Sequence, residues 1–223
     1  MSVYTPPILT VDNVVFSLIA GDLSVLLIER ANDPFKGVRA LPGGYNAAGE
    51  TTMDAVARVL KSKAGINLSE LNYIEQLYTF DTVARDPRGH AVSVSYMGLC
   101  RDIVIPLDKG LQNPQFFPVK NLPKLAYDHV DIISYAHTRL CFKITYTNVV
   151  WALLPNMFTL TQLQSAYESI LMKSLDKRNF RKKFLSLGLV VASKEFFKDG
   201  AHRPARLYKF KKQSLEVLSR SFD

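Results

Sequence analysis

Two cysteines in 223 residues are too few for a disulfide scaffold or a zinc site. Cys100 and Cys141 each fall in an apolar setting typical of buried thiols, and no chemistry is assigned to them. Long apolar runs are also missing: the longest stretches fall far short of a membrane span. Met1 to Asn13 lacks both the basic region and the apolar region of a secretory signal. A soluble, cytoplasmic protein with no membrane partner is therefore expected. Acidic residues are scarce in one place only. Residues 1–150 hold 14 Lys and Arg against 14 Asp and Glu, whereas residues 151–223 hold 14 against 6, so the whole net charge of +8 sits in the last third. Such asymmetry implies a polyanion-binding module joined to a neutral one. A length of 223 residues and a hydrophobic share of 48% suit two domains, each with its own core.

In the neutral part, Val11 to Ile19 and Leu23 to Arg30 are β-rich runs separated by Gly21-Asp22, which predicts a hairpin. A loop from Ala31 to Gly44 leads into a helix over about residues 51–64, with Met53, Val56, Ala57, Leu60 and Ala64 as its apolar stripe. Tyr73 to Ala84 and His90 to Arg101 predict a second strand pair turning at Asp86-Pro87-Arg88-Gly89. Phe116, Phe117 and Val119 mark a short strand. Ile132, Ile133, Ala136 and Leu140 then set a closing helix.

The loop and helix from Gly44 to Ile66 carry the most specific pattern. Gly44, Glu50, Arg58, Leu60, Gly65 and Ile66 agree with the Nudix box, G-x5-E-x7-R-E-U-x-E-E-x-G-U with U apolar, which this segment resembles. Val59, Ser62 and Lys63 replace its three glutamates. Their i, i+3, i+4 spacing puts them on one helix face. In a working Nudix enzyme that face holds a divalent cation, and hard cations require oxygen ligands. Here it offers methyl groups, one hydroxyl and an ammonium. Lys63 would repel a cation and attract a phosphate, so no metal, cofactor or catalytic residue is expected. Glu50 and Asp54, with an acidic residue outside the box, keep an ADP-ribose pyrophosphatase as the alternative reading.

Candidate anion contacts are Arg39, Arg58, Arg85, Arg88 and His90, because the arginine fork suits phosphate. Arg58 is the weakest of them, since the box arginine commonly pairs with a carboxylate. Tyr45, Phe80 and Tyr96 could stack a purine. His129 and His137 are read as structural.

In the basic third, Thr159 or Thr161 caps a helix running to about Met172, and Asp176 caps a second one that Gly188 ends. Phe180, Phe184 and Leu187 repeat along one face of the second helix, and Arg178, Arg181 and Lys182 along the other. Leu189 to Ala192 and Arg206 to Phe210 follow as strands. Helix, helix, basic hairpin is the order of a winged helix-turn-helix. Thr161, Lys177, Arg178, Asn179, Arg181, Lys182, His202, Arg203 and Arg206 are the candidate DNA contacts, with Arg178 and Asn179 placed to read bases. An RNA-binding accessory role would use the same module.

The whole chain resembles the Nudix-related transcriptional regulators of bacterial NAD metabolism. Arg39 to Gly44, Arg85 to Gly89, Leu125 to His129, Phe158 to Gln164, Leu175 to Arg181 and Arg203-Pro204-Ala205 carry the likeness. It implies an α/β protein, with a Nudix α/β/α sandwich over residues 1–145 and a winged helix DNA-binding domain over residues 146–223. It also implies a homodimeric repressor of operator DNA whose Nudix domain senses ADP-ribose or a related nucleotide. Relatives of similar architecture bind a pentose instead.

Overall fold

The computed structural model describes residues 5–106, 108, 110–198 and 204–218. Their contacts divide them into two compact units, one of residues up to 17 and 24–136, the other of residues 18–23 and those from 137 onward.

In the first unit, β1 (Ile8–Ile19) and β2 (Asp22–Glu29) form the expected hairpin. Ala20 at φ 49° and Gly21 at φ 86° make its two-residue turn, the pair of positive φ values that matches the twist of the flanking strands. Two short strands follow, β3 (Arg39–Ala40) and β4 (Gly43–Tyr45). The box helix begins at Thr51, whose side chain accepts from Asp54 N while Asp54 Oδ2 accepts from Thr51 N at 2.9 Å, a reciprocal capping box.

The helix differs from the uniform one expected over 51–64. It is α-helical as α1 (Thr52–Val59) and then widens into a π-helical turn over Leu60–Ala64. Gly65 ends the turn in the left-handed region at φ 73°, and Ile66 N reaches back to Leu60 O at 3.3 Å. A Cβ on Gly65 would sit 2.7 Å from Pro106 Cγ and 2.9 Å from Leu111 Cδ1. Left-handed backbone costs a non-glycine residue about 1–2 kcal/mol, and the clash adds overpacking of about 1–3 kcal/mol. Gly65→Ala should therefore lower the urea midpoint of the first unit clearly, and an unchanged midpoint would refute this account of the turn.

The remaining strands are β5 (Tyr73–Phe80), β6 (Ala91–Leu99) and β7 (Gln115–Pro118). Seven strands among the described residues make one sheet in the order β3-β2-β1-β6-β5, with β4 added to β1 and β7 to β2. β1 runs parallel to β6 and antiparallel to β4, which sets Asp12 opposite both Ser95 and Gly43. Strands β5 and β6 are shorter than expected, leaving residues 81–90 as a loop.

Val11, Val15, Leu26, Ile28, Ala55, Val56, Val59 and Leu60 belong to one core cluster between sheet and α1. Alternation puts Val14 and Phe16 on the opposite face, where they are also buried. Helix α2 (His129–Tyr146) buries Ile132, Ile133, Ala136 and Leu140, the stripe read from the sequence. No helix among the described residues is long and apolar enough to cross a membrane.

The second unit is built on α3 (Leu160–Leu171) and α4 (Lys177–Ser186). Before α3, the two residues of β8 (Phe158–Thr159) pair with the hairpin of β9 (Val190–Phe197) and β10 (Ala205–Phe210). Strand β8 was not legible in the sequence, and β9 runs five residues beyond its expected end at Ala192. Thr159 caps α3 in a box with Gln162, and Asp176 caps α4 by accepting from Asn179 N at 2.8 Å. Tyr167, Phe180 and Phe184 form an aromatic core, with ring centroids 5.3 to 5.9 Å apart. Cys100 is buried as expected, whereas Cys141 is half-buried, its Sγ 3.3 Å from Ile170 O.

Candidate functional site

Strands β1 and β4, the exit of β2, the π-helical turn, the β5–β6 loop and the entry to α2 surround a cleft in the first unit. It has a cavity volume of about 130 Å³ and opens to solvent. Asp12 comes from the middle of β1, Arg30 from just past β2, Gly43 to Tyr45 from β4 and Lys63 from the π-helical turn. Arg85, Asp86 and Arg88 come from the β5–β6 loop, Tyr127 and His129 from the entry to α2.

Asp12 anchors this arrangement. Its Oδ2 accepts from Ser93 Oγ at 2.6 Å and from Arg85 Nη2 at 3.2 Å, and its Oδ1 faces His129 Nε2 at 3.4 Å. Burial alone would push its carboxyl up, but the contacts from His129, Ser93 and Arg85 win and hold it well below the usual carboxylate range. His129 Nδ1 accepts from Leu41 N at 2.9 Å, which fixes the ring proton on Nε2, toward Asp12. Gly43 is required at the facing position, because a Cβ there would lie 2.0 Å from Asp12 Oδ1.

Two arginines expected at the site do line the cleft. Arg85 is buried and forked onto Asp128, with Nε to Oδ2 at 2.9 Å and Nη2 to Oδ1 at 2.8 Å. Arg88 forks onto Asp86, at 3.0 Å from Nε and 2.7 Å from Nη2, and gives Nη1 to the Tyr45 hydroxyl at 2.8 Å. Its guanidinium lies 5.6 Å from the Tyr45 ring centroid and 5.9 Å from that of Tyr127. Tyr45 and Tyr127 are thus the aromatic walls.

The other expected ligand contacts do not line this cleft. Arg39 gives its guanidinium to Asn113 O at 2.7 Å and Gln115 Oε1 at 3.0 Å, over the Phe117 ring. Arg58 forks onto Glu50, with 3.0 Å from Nε and 2.5 Å from Nη2, and also donates to Tyr45 O at 2.8 Å. That clasp holds the box loop closed. His90 is exposed and uses its carbonyl to accept from Ile8 N. Phe80 packs against Tyr78 and Tyr135 on its side of β5. Tyr96 is a core residue whose hydroxyl meets Thr52 Oγ1 at 2.7 Å.

Sequence reasoning passed over Asp12, Arg30 and Tyr127. A usable signal existed for Asp12 alone: a carboxylate inside the apolar run Val11 to Phe16 must have buried partners.

The donor set does not fit the divalent ion of a working Nudix box. Val59 is buried in the core, 1% exposed, and Ser62 Oγ turns back to Val59 O at 3.4 Å. Lys63 sends Nζ to Gly43 O at 2.5 Å, into the cleft. Glu50 is occupied by Arg58 and by Ala47 N, which together lower its pKa to about 2. Asp54 is spent on the capping box. Among the described residues no three His, Cys, Asp or Glu side chains converge as a metal site would require.

In the second unit, α4 buries Phe180 and Phe184 and leaves Lys177, Arg178, Asn179, Lys182 and Lys183 exposed. Arg181 differs from its expected outward role. It is half-buried, and its Nη2 meets Thr161 Oγ1 at 2.9 Å, which ties α4 to α3. Arg206 is exposed on β10, its guanidinium 5.5 Å from the Phe196 ring centroid. His202 and Arg203, the other expected wing contacts, lie outside the described residues.

Comparison with known proteins agrees with both units. The NUDIX domain family matches residues 10–136, and the family described as NrtR DNA-binding winged helix domain matches residues 150–210. The chain is 36% identical over 218 residues to the ADPR responsive transcriptional repressor NtrR of Acinetobacter baylyi, covering 96% of this chain and 86% of that one. It is 37% identical over 134 residues to an ADP-ribose pyrophosphatase of Methanocaldococcus jannaschii, covering 59% of this chain and 73% of that one. Among solved structures, Shewanella oneidensis NrtR complexed with a 27mer DNA superposes with a TM-score of 0.81 at 32% identity, over 96% of this chain and 99% of the other. The NUDIX domain of that protein complexed with ADP ribose superposes with a TM-score of 0.55 at 34% identity, over 61% and 90%.

Proposed function

This chain belongs to the family that joins a NUDIX domain to an NrtR DNA-binding winged helix domain, and on that premise we propose how it works. It is a DNA-binding transcriptional repressor, its NUDIX domain senses ADP-ribose, and that domain holds the ligand without hydrolysing it. The effector-sensing part is taken as residues 1–145 and the DNA-binding part as residues 146–223, acting as a homodimer.

The observation that carries the reading is the chemistry at positions 59, 62 and 63. Diphosphate hydrolysis in a Nudix enzyme draws on divalent metal to neutralise charge and activate water. Core methyls, a self-satisfied hydroxyl and an ammonium supply neither function. The surviving acidic residues of the box are engaged, Glu50 by Arg58 and Asp54 by Thr51. What remains is a cleft lined by four cationic side chains and two tyrosine rings, groups that attract phosphate and stack bases.

ADP-ribose can change the affinity for DNA only by binding the free and DNA-bound forms unequally. On α4, Arg178 and Asn179 are the candidates for base contacts, and Lys177 and Lys182 for phosphates. Thr161 and Arg181 position that helix through their mutual bond.

Incubation with ADP-ribose and magnesium or manganese is expected to release no AMP while ADP-ribose alters retention of operator DNA. The identity to an ADP-ribose pyrophosphatase favours hydrolysis as the second reading. Stoichiometric release of AMP would establish it and refute the receptor.

A further inference from the structure

Four cations line the cleft: Arg30, Lys63, Arg85 and Arg88. Two of them are neutralised at close range, Arg85 by Asp128 and Asp12, and Arg88 by Asp86. Arg30 and Lys63 differ in kind. Lys63 Nζ bonds the Gly43 carbonyl, and Arg30 gives Nε to Pro34 O at 2.7 Å and Nη2 to Asn32 O at 3.1 Å. Carbonyl oxygens satisfy hydrogens without cancelling a charge. Among the described residues, neither side chain has a carboxylate at ion-pair distance. Asp12 is the anion nearest in effect to Lys63, and it is already held by Arg85, Ser93 and His129. Burial and the charge of Arg30 both push the Lys63 ammonium below the usual lysine range, as in a site short of an anion. Arg30 also lies 4.8 Å over the Tyr127 ring, whose hydroxyl is buried with no hydrogen-bond partner among the described residues.

We infer that Lys63 and Arg30 form a metal-free clamp for the diphosphate of the effector, with the Tyr127 hydroxyl beside it. The inference rests on the effector reading above and goes further by naming how the anion is balanced. A divalent ion would offset two negative charges of a diphosphate. Two monovalent side chains offset the same charge from within the protein. They also bring no ion that would activate water, so neutralisation is separated from cleavage. The charge at position 63 has changed sign relative to the box glutamate, and its ammonium keeps two further hydrogens after bonding Gly43 O.

The test is calorimetric titration of the full chain with ADP-ribose, in EDTA and in magnesium. Wild type should bind equally in both. Lys63→Met and Arg30→Gln should each weaken binding by roughly 10- to 100-fold, the effect of losing a charged hydrogen bond. Lys63→Arg should keep most of the affinity. Unliganded melting curves check folding. Should Lys63→Met not fold, Arg30→Gln and the wild-type comparison with and without EDTA still decide. A requirement for magnesium, or unchanged affinity in either variant, would overturn the clamp and leave effector sensing in place. Metal-free, Lys63-dependent binding of inorganic diphosphate without binding of ADP-ribose would keep the clamp and remove ADP-ribose as effector. Binding of neither compound would sink both.

Discussion

Affinity for duplex DNA is expected to fall by about 10³- to 10⁵-fold between 50 and 200 mM salt, the response for roughly 6 to 10 phosphate contacts. The motive is the +8 charge carried wholly by residues 151–223 and its placement on exposed positions. Lys177, Arg178, Lys182 and Lys183 stand on α4, and Lys194, Lys198, Arg206 and Lys209 on or beside the wing strands. Each lysine that meets a phosphate releases counterions, so its loss should act on every sequence alike. Lys182→Ala should thus weaken binding uniformly and reduce the salt slope by about 1. Arg178→Ala and Asn179→Ala should instead cost about 1–3 kcal/mol on the preferred sequence, with less effect on others. Fluorescence anisotropy on a salt series measures all of this. A flat response would remove the phosphate-dominated mode of binding, and stronger competition from structured RNA would point to the other polyanion.

Removing the Asp12 carboxylate should cost the first unit about 3–5 kcal/mol, the range for breaking a buried ion pair from one side. In Asp12→Ala, the buried Arg85 keeps only Asp128, while Ser93 Oγ and His129 Nε2 lose their anionic acceptor. The carboxylate also shapes the cleft floor opposite Gly43, so effector binding should fall with stability. Far-UV circular dichroism or hydrogen exchange of the first unit measures this loss.

The pH dependence follows from the sign of the Asp12 shift. Its folded pKa is depressed, so its contribution is complete above the unfolded carboxylate value near 3.9. That contribution is lost as pH falls through and below that value toward the folded pKa. Wild type should show this acid loss, and Asp12→Asn should show less of it because the asparagine has no proton to gain. Equal stability of wild type and Asp12→Ala at neutral pH would refute the anchoring role.

The box itself was legible because its elements are local. A glycine, a glutamate and an arginine at fixed spacing on a loop and helix need no distant partner to be recognised. The retained Glu50 and Arg58 are recognised this way, and they turn out to bind each other. The winged helix was legible for a similar reason: the caps at Thr159 and Asp176 and the Phe180–Phe184 stripe act within one or two turns. The lining of the cleft was not. Arg39, Phe80, Tyr96 and His90 have suitable chemistry, but the fold directs them to Gln115, Tyr135, Thr52 and solvent respectively. A periodicity of two says that neighbours face opposite ways without saying which face meets the cleft. Even the helix spacing was altered, since the π-helical turn begins directly after Val59 and carries Ser62 and Lys63.

The residues alone determined a box without its three metal carboxylates, a cationic last third and two caps that begin the helices of the winged unit, because charge, spacing and capping are properties of short segments. Only the tertiary structure decided that Asp12, Arg30, Lys63, Arg88 and Tyr127 share one cleft. They lie up to 115 positions apart along the chain, and the pairing of β1 with β4 and β6 is what brings their walls together. It also decided which positive charges in the cleft sit against carboxylates and which do not, since neutralisation depends on distance in space rather than on order in the chain.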